Sequence, residues 1–150
     1  ICVSNMLYSI TGIEDPLCHF LNDDPVRPHI SLTERFGKNK HVIALTENDK
    51  VCAIVCVKIC DHIPSNEQEL LEDSSEDPSN VIFYTIWSYQ SGSGQRLIRD
   101  GVEWLKQQRD FKRFVTLSPP TEMARRFHTK NGAIVFRINS DTVNYEYLNM

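Results

Sequence analysis

Residues 81–89, VIFYTIWSY, form an apolar and aromatic run without a single charge, and they lead directly to Gly92 and Gly94. Such a run, ending in a glycine turn, reads as a central strand covered on both faces. Leu97, Ile98, Val102 and Leu105 then recur at helical spacing, which predicts a helix through about residue 109. A strand, a glycine turn and a helix without interruption restrict the chain to a fold in which helices cover a sheet.

The remaining elements are arranged around this unit. HVIAL, the turn residues ENDK and VCAIVCVKI predict a hairpin of two strands rich in β-branched residues, turning at residues 47–50. Residues 13–22 and 29–36 read as short helices or turns around Pro16, Pro25 and Pro28. Residues 63–80 carry Pro, Ser and acidic residues and predict a solvated loop with one helical turn at residues 67–71. FKRFVTL (111–117) predicts a further strand, and Pro119 and Pro120 open a helix that stops at Asn131 and Gly132. AIVFRI and TVNYEYL are the last two strands, turning at residues 139–141.

With 150 residues and 41% apolar content, the chain is read as a single domain, 1–150, with a real core. No run reaches the ~18 apolar residues of a membrane span, and the first residues lack the order of a secretory signal, so a water-soluble protein is expected, with no membrane partner. The chain opens on Ile1 rather than Met, so it is read either as trimmed or as a piece of something longer. The five cysteines, Cys2, Cys18, Cys52, Cys56 and Cys60, are odd in number and lack zinc-ribbon spacing. A reducing compartment, the cytoplasm, is expected; Cys52, Cys56 and Cys60 are read as small core residues on one strand face, and no metal is expected.

Residues 1–90 carry 6 basic and 14 acidic side chains, whereas residues 91–150 carry 10 basic and 6 acidic. An anionic ligand would settle on the C-terminal part. Nucleic acid is not expected, because the basic residues do not form a stripe interleaved with aromatics.

Two constellations could carry chemistry. Gln90, Ser91, Gly92, Ser93, Gly94, Gln95 and Arg96 join the central strand to its helix. Glycines there let backbone N–H groups approach a bulky anion, and the helix N-terminus favours phosphate; a plain tight turn uses the same residues. The second is Ser118, ending a strand, and His128, on the following helix. Together they could hold a carboxylate, with the imidazole moving a proton near neutral pH. The plainer alternative makes Ser118 a helix cap and His128 a partly exposed surface residue.

The strand, glycine turn and helix, followed by ARRFHTKNGA (124–133), resemble motifs of the GNAT acyltransferase superfamily, with His128 where that superfamily has a tyrosine acid and Tyr89 at its Gln/Arg position. IPSN (63–66), IFYTI followed by Gln90, FVTLSP (114–119), FHTKNGAIVFRIN (127–139) and VNYEY (143–147) are similar, in order, to the motifs of malonyl-CoA decarboxylase. Residues 119–127 stand where that family has a long helical segment, and its N-terminal helical domain has no counterpart here. The resemblance implies an α/β (α+β) fold with a GNAT-like mixed central sheet of about six to seven strands flanked by helices. It further implies a coenzyme A thioester, malonyl-CoA or acetyl-CoA, as the small-molecule partner, and Ser118 and His128 as the catalytic pair.

Three functions are then weighed. A decarboxylase would turn malonyl-CoA into acetyl-CoA and CO2. A GNAT-type acyltransferase would move the acyl group to an amine or thiol, commonly with a Glu or Asp base on the central strand; residues 81–89 contain none, and Asp61 or a water chain would have to substitute. A silent acyl-CoA sensor would need Ser118 and His128 to be misaligned. A homo-oligomer is compatible with all three.

Overall fold

The computed structural model describes residues 5–150; Cys2 lies outside them. Seven strands form one mixed sheet in the order β1-β2-β3-β4-β5-β7-β6. They are β1 (Asn5–Ile10), β2 (Lys40–Glu47), β3 (Lys50–Cys60), β4 (Asn80–Ser88), β5 (Arg113–Thr116), β6 (Ile134–Ile138) and β7 (Val143–Glu146). Three α-helices, α1 (Glu67–Leu70), α2 (Ser93–Gln108) and α3 (Glu122–Lys130), and two 3-10 turns, Cys18–Asp23 and Thr33–Arg35, are the other elements among the described residues.

The β2–β3 hairpin turns where expected. Asn48 and Asp49 take φ of 51° and 67°, the left-handed region that these two side chains tolerate best and that a two-residue hairpin requires. The first strand, β1, is not foreseen by the sequence pattern; it pairs antiparallel with β2 from Asn5↔Glu47 to Ile10↔Val42. Most of its side chains stay exposed, so it has no alternation of buried and solvated residues to betray it.

β4 is covered on both faces. Val81 and Phe83 enter one apolar cluster with Leu97, Ile98, Val102 and Leu105 of α2. Ile82, Tyr84 and Trp87 enter the other, under the segment between β1 and β2, with Ile10, Leu21 and Ile30. Strict alternation would put Ile86 on the second face, yet it packs on the α2 face. The cause is a bulge, since Val57 pairs with Phe83 but Cys56 with Thr85, leaving Tyr84 as the extra residue.

α3 begins later than the prolines suggest. Thr121, not Ser118, is its N-cap and accepts a hydrogen bond from the Ala124 N–H at 3.2 Å. It ends at Lys130, and just beyond it Gly132, with φ of 97°, lets the Ala133 N–H reach the His128 carbonyl at 3.0 Å.

The segment before α1 is not merely solvated. The carbonyls of Ile63, Pro64 and Ser65 accept from Arg137, Asn144 and Thr142 at 2.8, 3.0 and 2.6 Å. Asn144 is the hub and is fully buried. Its Nδ2 also donates to the Thr116 carbonyl at 2.8 Å, and its Oδ1 accepts from Arg137 Nε at 3.2 Å and Asn139 Nδ2 at 2.9 Å. All four of its hydrogen-bonding positions are in use. Asn144→Leu should therefore lower stability by about 2–4 kcal/mol in urea unfolding, because two buried carbonyls lose their donor; a loss under about 0.5 kcal/mol would show that the hub carries no load.

Candidate active site

β4 and β5 are parallel neighbours only from Asn80↔Arg113 to Phe83↔Thr116. Their last bond runs from the Leu117 N–H to the Phe83 carbonyl at 2.9 Å. Beyond it β4 continues beside β3 while β5 turns to β7, where Ser118 and Val143 exchange two bonds of 2.9 Å. The two strands therefore part, leaving a notch. The Tyr89 N–H donates to the Cys52 carbonyl at 2.7 Å, which turns residues 85, 87 and 89 toward β3. By the two-residue period, the backbone groups of Ile86 and Ser88 face the notch.

Ser118 stands at the mouth of this divergence and is 4% exposed. Alternation from Phe114, which packs in the α2-side cluster, places Thr116 and Ser118 on that same face. The Ser118 hydroxyl donates to Thr116 Oγ1 at 2.7 Å, and Thr116 Oγ1 accepts from the Tyr145 N–H at 3.1 Å.

His128, also 4% exposed, comes to the same face from α3. Its ring stacks on Tyr145 at 5.2 Å, and its Nδ1 is 2.7 Å from the Tyr147 hydroxyl. Tyr145 thus lies between the two groups: its backbone is joined to the Ser118–Thr116 pair and its ring to the imidazole. No hydrogen bond joins Ser118 to His128 directly among the described residues. Nor does the imidazole have the ordinary titration expected from the sequence. Burial, with no counter-charge acting on it among the described residues, lowers its pKa to about 4, so the ring is neutral at pH 7, with Nε2 the nitrogen left to meet a substrate. Burial likewise raises the Tyr147 hydroxyl, which keeps that partner protonated.

The glycine turn follows β4. Gln90, Ser91 and Gly92 are exposed, Ser93 and Gly94 buried, Gln95 exposed and Arg96 half-buried. Gly92, with φ 82°, is the N-cap of α2, a left-handed position that glycine takes without strain. Gly94 serves packing, because a Cβ there would meet the Phe127 ring at 3.1 Å. Phe127 and His128, adjacent on α3, therefore touch the glycine turn and the Tyr145–Tyr147 pair respectively. In the first turn of α2 the Ser93 N–H donates to the Gln90 carbonyl at 3.2 Å, while the N–H groups of Gly94 and Gln95 have no intrahelical acceptor and can receive an anion.

Some residues lie elsewhere than the sequence suggests. Asp61, the substitute base, sits beside the start of β4, since Asn80 Nδ2 donates to its carbonyl at 2.9 Å, and its carboxylate accepts from Ser75. That is the opposite end of β4 from the notch. Cys56 and Cys60, by contrast, are the core residues expected and pack in one apolar cluster, where burial pushes both thiols up to about 11. Tyr89 gives its hydroxyl proton to Asp23 at 2.6 Å and accepts from Trp87 Nε1 at 3.0 Å. Two surface hollows, of about 570 Å³ along residues 11–16 and about 310 Å³ between β1 and α2, do not include the notch. Tyr145 and Tyr147 were not singled out from sequence, although their spacing of two on a strand signals a shared face. Arg27, buried near Tyr84, was missed too; its only signal is a cation set between Pro25 and Pro28.

No family model matches the chain, and no curated protein sequence matches it. Solved structures do. Malonyl-CoA decarboxylase from Rhodopseudomonas palustris is similar over 95% of this chain and 59% of its own, with a TM-score of 0.73 and 19% identity. The enzyme of that name from Agrobacterium vitis is similar over 91% of this chain and 39% of its own, at 0.66 and 24%. The loading GNATL domain of CurA from Lyngbya majuscula is similar over 96% of this chain and 97% of its own, at 0.69 and 15%. This chain spans less than two thirds of either decarboxylase. At such identities the likeness is one of fold, and the fold is that of a GNAT domain: a mixed sheet of seven strands flanked by helices.

Proposed function

We propose that the chain is an acyl-CoA-binding domain that decarboxylates malonyl-CoA to acetyl-CoA and CO2, with Ser118 and His128 as its catalytic pair. The observation that carries this is the convergence of both side chains, through Tyr145, on one face of a sheet that opens beside them. The thioester would lie in the notch with its pyrophosphate toward residues 90–96. The fit is supported by the first-turn N–H groups of Gly94 and Gln95 in α2, which have no acceptor within the helix, and by Gly92, where an added Cβ meets no atom within 4 Å. Cytoplasmic placement is part of the proposal, supported by the free, buried thiols of Cys18, Cys52, Cys56 and Cys60.

The chemistry follows from what must be stabilised. The bond to the carboxylate breaks, its electron pair moves toward the thioester oxygen, CO2 leaves, and a proton goes to the carbon. Ser118 and His128 would orient the carboxylate. A carboxylate beside Nε2 adds the opposite charge that the apolar surroundings lack, which raises the imidazole pKa and lets His128 carry the proton that the carbon then receives. The notch-facing N–H groups of Ile86 and Ser88 are suited to donate hydrogen bonds to the thioester oxygen as it gains charge. For the transferase alternative, β4 offers no carboxylate and Asp61 is at the wrong end of it.

Purified protein given malonyl-CoA should release CO2 and acetyl-CoA, and His128→Ala should lower kcat by about 10²–10³-fold. Equal turnover in that variant would end the assignment, whereas an acylated product seen only with an added amine or thiol would favour the transferase. The lowered pKa of His128 gives a second test. Its folded pKa, about 4, lies below the unfolded 6.5, so the unfolded chain binds the proton first and stability falls as pH drops through that window. Relative to His128→Phe, the wild-type protein should lose about 3 kcal/mol between pH 7 and pH 4 in denaturant titrations; parallel pH profiles would show the imidazole to be solvated.

A further inference from the structure

Arg27 lies in the connection between β1 and β2 and is 4% exposed. Its guanidinium bridges β4 and α1. Nη1 donates to the carbonyl of Tyr84, the bulge residue of β4. Nε is 3.3 Å from Glu67 Oε1 on α1, an element of the opposite bank, because residues 63–65 ahead of it are held by Arg137, Asn144 and Thr142. Glu67 is shared, since its Oε2 is 2.7 Å from His29 Nε2.

The backbone of Arg27 is clamped independently of its side chain. Asp24 Oδ1 accepts from the N–H groups of Val26 and Arg27, each at 2.8 Å. Arg35 Nη2 donates to the Arg27 carbonyl at 2.7 Å, while Arg35 Nη1 pairs with Asp24 Oδ2 at 2.7 Å in a buried ion pair. A cation is thereby fixed where β4 leaves β5. Beside it, Thr85 is 4% exposed and its Oγ1 has no hydrogen-bond partner; the next residue, Ile86, turns its N–H to the notch. The Arg27 cation held on the Tyr84 carbonyl, the unpartnered hydroxyl of Thr85 and the inward N–H of Ile86 make a polar floor under the notch, approached from the face opposite to α3.

Resting on the decarboxylase reading, we propose that Arg27 is a further catalytic residue, its guanidinium opposing the negative charge that collects on the thioester oxygen as CO2 leaves. A cation against the substrate carboxylate would stabilise the starting state and resist CO2 loss. A cation against the thioester oxygen meets full charge only as the enolate forms, so that placement alone lowers the barrier. The proton then arrives at carbon from His128 on the other face, and the thioester is restored.

The test compares wild-type protein with Arg27→Gln and Arg27→Lys in two assays: CO2 release from malonyl-CoA, and deuterium uptake into the methyl group of acetyl-CoA in D2O, which needs the enolate but no decarboxylation. Arg27→Gln should lower both rates by about 10²-fold with KM changed only a few-fold, and Arg27→Lys, which keeps the charge, should recover part of each. Rates within twofold of wild type in folded Arg27→Gln, or a rise in KM at constant kcat in both variants, would overturn the inference and leave the decarboxylase intact. Deuterium uptake without CO2 release by wild type would remove the decarboxylase reading while the uptake ratio still judged Arg27; neither activity would remove both.

Discussion

The parting of β4 from β5 after Phe83 and Thr116 is the constraint on which the rest of the structure depends. Two parallel strands that stay paired present no unbonded backbone between them. Here one continues beside β3 while the other is captured by β7, and the polar groups exposed by the separation must be met by something. On one side the bulge at Tyr84 turns a carbonyl to Arg27. On the other, Asn144 ties the end of β5 to residue 64 and to the β6–β7 hairpin. The notch is thus held open by specific partners on both banks.

Electrostatics divides the two faces of the sheet. On the α3 side, His128 is packed against Phe127, Tyr145 and Tyr147, and burial disfavours an imidazolium. On the opposite side, Arg27, Arg35, Asp24 and Glu67 are paired with one another under the loop. Buried ion pairs of this kind are weak contributors to stability, since desolvation offsets much of their attraction. Their value here is positional, because they set the backbone of Arg27 before any ligand arrives.

Much of the frame was legible because it rests on local pattern. The charge-free run at 81–89, the glycines after it and the hairpin residues Asn48 and Asp49 each state their own conformation. β1 was not legible, as its pairing with β2 buries little of it. The start of α3 was misread because Pro119 and Pro120 look like a first turn, whereas the side chain that reaches an N–H is Thr121. In the site, Ser118 and His128 stood out by their places at a strand end and on the next helix, and the resemblance supplied their catalytic roles; the low pKa of the imidazole was not legible, since it depends on which rings the chain brings round it. Arg27 illustrates the same limit: 57 residues separate it from the carbonyl it holds, and nothing local marks that pairing.

Phe127 and His128 are consecutive residues on one helix of nine. The first presses on Gly94 at the phosphate end of the proposed site, and the second addresses the Tyr145–Tyr147 pair at the reacting end. A nucleotide settling on the glycine turn would bear on the imidazole through this short rigid lever. Under the proposed reading, handle and reacting group are sensed by a single element, so a thioester stripped of its nucleotide would suffer in rate as well as in affinity.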